Sequence, residues 1–240
     1  MRFLDLQVDD DIKSINYTLA IGAVTSKILF NLLSENGLHE TALRTAISTD
    51  EPSIGYWWKK WNATTCYEAF PAENSPDNRQ RSLNHIFLCG GIGHWMWKHL
   101  VGLTPTSPGF ATVSLNPLVH DSVGPRSVSG QFLSPKGIIS SSWNITDVNV
   151  GVVKLSVSLP VGVQSATIVV PKPTKQGVPS AAALVYLGGQ NIWDGTKLVR
   201  QSVGILHARD GKEGVIFETT NGVFEFVSKA LSGRPTSVVV

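Results

Sequence analysis

Glu68 is the residue of this sequence whose surroundings most invite chemistry. It follows the nearly uncharged run Asn62-Ala63-Thr64-Thr65-Cys66-Tyr67, with Trp57, Trp58 and Trp61 shortly upstream. A carboxylate on such a stretch is either an exposed loop acid or a site acid held in an aromatic pocket. In a site it could take a proton from water or give one to a leaving group. Indole rings can stack on sugar faces, but they fill cores equally well, so residue type leaves both readings of Trp58 and Trp61 open. His85, at the end of Ser82-Leu83-Asn84-His85, reads by position as a surface residue at a helix start. Cys66 and Cys89 form neither a CxxC pair nor a metal-ligand spacing and are read as buried thiols, with a disulfide as the minor alternative. No metal and no cofactor are expected.

The elements that must position these residues change character near residue 104. Before it, apolar residues recur at helical spacing; after it they alternate. The spacing predicts a helix over 17–35, with Leu19, Ala23, the Lys27 stem, Leu29, Leu32 and Leu33 near one side, stopped by Asn36-Gly37. A second helix is predicted over 38–48, with Leu38, Ala42, Leu43, Ala46 and Ile47 as its stripe. Residues 49–81 read as an aromatic loop region (Tyr56, Trp57, Trp58, Trp61, Tyr67, Phe70) ending in the polar stretch 73–81. A third helix is expected from the N-cap Ser82 to Val101. Its glycines, Gly90, Gly91 and Gly93, weaken a helix unless close packing compensates.

Thr104-Pro105-Thr106-Ser107-Pro108-Gly109 reads as a linker, since two prolines and a glycine forbid continuing helix. Beyond it, Val153, Leu155, Val157 and Leu159 alternate with Lys154, Ser156 and Ser158, the pattern of a half-buried strand. Further strands are expected near 111–115, 138–143, 165–170, 203–207, 214–219 and 223–228, and Asn221-Gly222 signals a hairpin between the last two. Residues 172–183 read as an exposed loop. Many short strands separated by turns predict a β-sandwich. The expected domains are therefore a helical one over 1–103 and a sandwich over 104–240.

With 240 residues the chain can bury a real core, and 42% hydrophobic against 16% charged residues argues for a folded protein. A net charge of +2 without a dense Lys/Arg run excludes nucleic acid and anionic membrane as expected partners. No apolar run reaches a bilayer-spanning length, and the start, turning acidic at Asp9-Asp10-Asp11, lacks the apolar core of a secretion signal. Asn16, Asn62 and Asn144 stand in Asn-x-Ser/Thr acceptor patterns, which matter only in a secretory compartment.

Two blocks carry a family resemblance. Pro52-Ser53-Ile54-Gly55-Tyr56 followed by Asn62-Ala63-Thr64-Thr65-Cys66-Tyr67-Glu68 resembles the Pro-Ser-x-Gly-Tyr turn and Gly-Ala-Thr-Thr-x-Trp-Glu motif of bacterial-type α-L-rhamnosidases, glycoside hydrolase family 78. Ser82-Leu83-Asn84-His85 resembles the start of that family's closing barrel helix, and Pro108-Gly109-Phe110 its entry into a sandwich. The ordered blocks run over most of residues 18–170. The resemblance implies an α + β multidomain chain: the last helices of an (α/α)6 barrel, incomplete here, followed by an antiparallel β-sandwich. It implies rhamnose-containing glycosides as substrates and inversion at the anomeric centre, with Glu68 as general base, His85 as a sugar contact and Trp58 and Trp61 as pocket lining.

The sequence departs from the family at Asn62, in place of Gly, at Tyr67-Glu68-Ala69-Phe70, in place of Trp-Glu-x-Trp, and at His94, in place of a glutamate. Helix packing accounts for His94 and Trp95. The family's general acid lies on earlier barrel helices, and Asp9, Asp10 and Asp11 do not match that segment. The resemblance therefore implies that this chain alone is inactive and that its partner is the remainder of the barrel. A non-catalytic carbohydrate-binding or scaffolding fragment, working through its sandwich, is the alternative, and a degenerate product with no present activity is a third reading.

Overall fold

The computed structural model describes residues 9–19, 23–68, 82–147, 151–175 and 178–231, and among these described residues five α-helices and a π-helix precede the first of thirteen strands. The described chain divides into two compact units, Met1–Met96 and Trp97–Val240.

In the first unit, α1 covers 9–14 of the described residues, and α2 (Ala23–Glu35), α3 (His39–Ile47), α4 (Ile54–Trp61) and α5 (Ile86–Trp95) follow. Residues 20–22 of the predicted first helix lie outside the described residues, and its described N-terminal part, Tyr17 to Leu19, is not helical. Leu19, Leu29, Phe30 and Leu33 are buried, whereas Leu32, read as part of the stripe, is exposed. On α3 the buried face is Ala42 and Leu43, and Ile47 is exposed. Within the aromatic stretch read as loop, Ile54–Trp61 is helix α4. Ser53 caps it by accepting the Tyr56 amide at 3.0 Å, and Asn62 closes it in the left-handed conformation.

The third predicted helix begins later than Ser82. Residues 82–85 are non-helical, Ser82 Oγ accepts the Asn84 amide at 3.2 Å, and α5 starts at Ile86. Met96–Val101 then winds as a π-helix.

The second unit holds β1 (Leu103–Pro105), β2 (Thr112–Leu115), β3 (Ser127–Ser134), β4 (Gly137–Asp147), β5 (Val152–Leu159), β6 (Ser165–Pro171), β7 (Thr174–Lys175), β8 (Val178–Pro179), β9 (Ala183–Leu187), β10 (Gln190–Trp193), β11 (Ile205–Asp210), β12 (Gly214–Thr219) and β13 (Gly222–Ala230). They form one sheet in the order β1-β2-β6-β12-β11, another in the order β10-β9-β13-β5-β4-β3, and the small pair β7-β8. Neighbours run antiparallel except β2 and β6, which are parallel. Alternation puts Val153, Leu155, Val157 and Leu159 of β5 into the core with Ile168, Phe217, Phe224 and Phe226. Phe217 and Phe226, from opposite sheets, stack at 5.2 Å.

Three expectations for this unit are corrected. The Pro-rich 104–109 segment is partly sheet, because β1 pairs with β2. Asn221-Gly222 does not close a hairpin: β12 pairs with β6 and β11, while β13 pairs with β5 and β9 in the other sheet. The turn residues serve a crossing between sheets, because burying Phe217 and Phe226 against each other requires their strands to lie on opposite sides of the core. The segment 172–183, whose residues 176–177 lie outside the described residues, is anchored rather than loose. Lys172 is 4% exposed, and its Nζ donates to Asp210 Oδ1 at 2.9 Å and to the Gly211 carbonyl at 2.7 Å. A buried ammonium needs such partners.

Candidate active site

Helix α4 delivers the chain to the Glu68 segment. Its Trp57 is fully buried and meets the half-buried Tyr67 with ring centroids 5.4 Å apart, tilted 43°. Core packing thus accounts for Trp57. Trp58 and Trp61 are 53% and 37% exposed, so burial does not explain them. Three positions apart on one helix, they lie toward the same side.

Asn62 follows at φ 48° and ψ 38°, a conformation that glycine adopts freely and asparagine tolerates. The substitution at this motif position therefore keeps the backbone turn. From there the chain runs alongside residues 82–85. Thr65 Oγ1 donates to the Leu83 carbonyl, and the His85 amide donates to the Cys66 carbonyl at 2.6 Å. The Glu68 amide donates to the Ser82 carbonyl at 2.9 Å, and the Ser82 amide donates back to Glu68 Oε2 at 3.0 Å. This reciprocal pair fixes the direction of the carboxylate, while Oε1 takes no hydrogen bond from the described residues. A carboxylate with one oxygen anchored in this way has the form of a proton acceptor.

Glu68 and His85, both half-buried, are thus carried by adjoining segments. The motifs alone singled them out; the Ser82 amide that binds the carboxylate was missed, because a backbone donor leaves no mark in residue type. Ala69, Phe70 and the polar stretch 73–81 lie outside the described residues. Trp95 is buried against Phe30, ring centroids 5.5 Å apart, and its Nε1 donates to Ser34 Oγ at 2.8 Å. His94 is exposed, with Nδ1 3.2 Å from Asn31 Nδ2.

Cys66 is disulfide-bonded, which corrects its reading as a buried thiol, in a chain with two cysteines. Of the three acceptor asparagines, Asn62 and Asn144 are exposed, and Asn16 Nδ2 donates to Asp50 Oδ2 at 2.6 Å. Among the described residues no group of three or more His, Cys, Asp or Glu could hold a metal, and no helix is long and apolar enough to cross a membrane.

Comparison with known proteins gives this geometry a family. Residues 5–100 match the bacterial alpha-L-rhamnosidase six-hairpin glycosidase domain, and residues 102–183 match the bacterial alpha-L-rhamnosidase C-terminal domain. An alpha-L-rhamnosidase of Formosa agariphila is 26% identical over 147 residues, covering 58% of this chain and 15% of its own length. One from an Alteromonas species is 26% identical over 143 residues, covering 56% and 15%. The chain therefore spans about 15% of the length of these relatives.

Among solved structures, the alpha-L-rhamnosidase of Dictyoglumus thermophilum superposes with a TM-score of 0.74 at 22% identity, over 94% of this chain and 23% of that one. The Streptomyces avermitilis alpha-L-rhamnosidase complexed with L-rhamnose gives 0.72 at 21%, over 93% and 19%. At these identities the superpositions show the fold. Adjoining matches to two domains of one family, in chain order, make this chain a member of the bacterial α-L-rhamnosidase family, with residues of its six-hairpin glycosidase domain followed by its C-terminal domain.

Proposed function

We propose that this chain supplies the water-activating base, Glu68, and a sugar contact, His85, to an inverting hydrolysis that removes terminal α-L-rhamnose from glycosides. The observation that carries the reading is the reciprocal Glu68–Ser82 hydrogen bonding, which aims the carboxylate on the segment beside His85. In the reaction, a water oxygen attacks the anomeric carbon from the face opposite the leaving oxygen while Glu68 takes its proton. A second carboxylic acid protonates the leaving oxygen as the glycosidic bond breaks. Inverting enzymes hold the two carboxyl groups about 6.5–9.5 Å apart so that the water fits between them.

The resemblance assigns that acid to earlier barrel helices, so activity belongs to a complete barrel and the 240 residues alone are expected to be inactive. Residues 1–103 then form part of the catalytic domain and 104–240 a C-terminal sandwich. Trp58 and Trp61, exposed and on one side of α4, suit the stacking of a sugar ring.

His85 tests the sugar-binding part. In a complete barrel carrying this chain, His85→Ala is expected to raise KM for an aryl rhamnoside about tenfold to a hundredfold, the size of one or two lost hydrogen bonds. An unchanged KM would remove His85 from the sugar site.

A second reading has its own support: the core of the second unit is formed wholly by residues between Val101 and Phe226. Such a sandwich could fold alone and bind carbohydrate without catalysis. Calorimetric titration of the whole second unit, Trp97–Val240, with rhamnosides discriminates, since this reading requires heat of binding at millimolar sugar and the catalytic reading does not.

A further inference from the structure

Two backbone contacts fix how the Glu68 segment lies along the His85 segment. The His85 amide donates to the Cys66 carbonyl at 2.6 Å, and the Glu68 amide donates to the Ser82 carbonyl at 2.9 Å. As one segment advances from 66 to 68 the other retreats from 85 to 82, so they run antiparallel. Between the contacts lies one residue on the first side, Tyr67, and two on the second, Leu83 and Asn84. An extra residue of this kind forms a bulge, which disrupts the ladder and re-aims the side chains beside it.

Two hydroxyls hold the longer side in place. Ser82 Oγ accepts the Asn84 amide at 3.2 Å, a bond within its own segment. Thr65 Oγ1 donates to the Leu83 carbonyl and so crosses from one segment to the other. Register matters here, because a one-residue slip in an antiparallel pairing turns each side chain to the opposite face. Such a slip would carry the Glu68 carboxylate away from the Ser82 amide that it now meets at 3.0 Å.

We propose that Thr65 is a positioning residue: its hydroxyl, by holding the Leu83 carbonyl, sets the register in which Glu68 and His85 face one substrate. This rests on the reading of Glu68 as base and His85 as sugar contact, although the register can be measured without it. The hydroxyl acts through the Leu83 carbonyl and takes no part in the proton transfer. Thr65 and Leu83 are both exposed, so water competes for the bond. Its net share is that of one ordinary hydrogen bond, which sets an expected effect of about threefold to tenfold.

The test is amide hydrogen exchange on the full chain, comparing the parent with Thr65→Val and Thr65→Ser. Valine keeps the branched shape and removes the hydroxyl; serine keeps the hydroxyl. The amides of Glu68, Ser82 and His85 are expected to exchange about threefold to tenfold faster in Thr65→Val and at about the parental rate in Thr65→Ser. Amides of β5 and β13 should stay protected in all three. In a complete barrel carrying this chain, assayed where every variant is folded, Thr65→Val should lower kcat by a similar factor and Thr65→Ser should restore it. Unchanged exchange at the three amides would overturn the proposal. So would a loss of protection spreading evenly through α2 and α3, or faster exchange with parental kcat, since either marks a merely stabilising role. The exchange arm reads no turnover, so a failed register is distinguishable from a failed base, which would show as near-normal turnover in Glu68→Gln.

Discussion

Glu68→Gln, placed in a complete barrel and assayed on an aryl rhamnoside, is expected to lower kcat by about a hundredfold to ten-thousandfold, the share a positioned general base contributes. KM should change little, because a base acts on water in the transition state and holds no ground-state contact with the sugar. Glutamine is the informative replacement. Its side-chain carbonyl can still accept the Ser82 amide that Oε2 now takes at 3.0 Å, so the pairing of the two segments survives while proton acceptance is lost. Thermal melting should therefore match that of the parent chain. Near-normal turnover would end the assignment.

Gly91→Ala is expected to cost about 3 kcal/mol of stability, the upper range for overpacking a close contact. A Cβ at Gly91 would lie 2.1 Å from the Lys27 carbonyl oxygen, 2.6 Å from its carbon and 2.7 Å from its Cα. These are backbone atoms of α2, so no flexible side chain can move aside and the two helices must part. Parting them loosens Trp95 against Phe30 and strains the Trp95–Ser34 hydrogen bond. Gly93 is the control: a Cβ there meets nothing within 4 Å, and Gly93→Ala should stabilise by about 0.5–1 kcal/mol through helix propensity. Chemical denaturation of the two variants measures both. Equal effects would mean that the α2–α5 contact is not the reason for glycine at 91.

What could be read from the sequence follows from how locally each feature is encoded. β5 alternates so cleanly that its strand, its inward face and its place in the core were legible. β3 was not, because its inward positions include Gly130. The room a side chain would fill there is taken by Val101 and Trp97, at 2.9 and 3.0 Å from a hypothetical Cβ. Helix α4 was hidden by its composition, since aromatic residues and Gly55 read poorly as helix. Gly55 is required by the Ser48 carbonyl, 2.3 Å from where its Cβ would stand.

The Asn221-Gly222 signal identified a turn correctly in place but not in partner, because partner choice is set by packing between the sheets. At the site, the motifs carried Glu68 and His85. Their mutual placement depends on hydrogen bonds through backbone groups, which residue types do not record.

A crystal structure of the complete barrel carrying this chain, with L-rhamnose bound, tests the account most directly. The expected result is a water within about 3 Å of a Glu68 carboxylate oxygen, on the anomeric face opposite the leaving group, with the His85 ring against the sugar. Glu68 turned to bulk solvent while another carboxylate holds that water would contradict it.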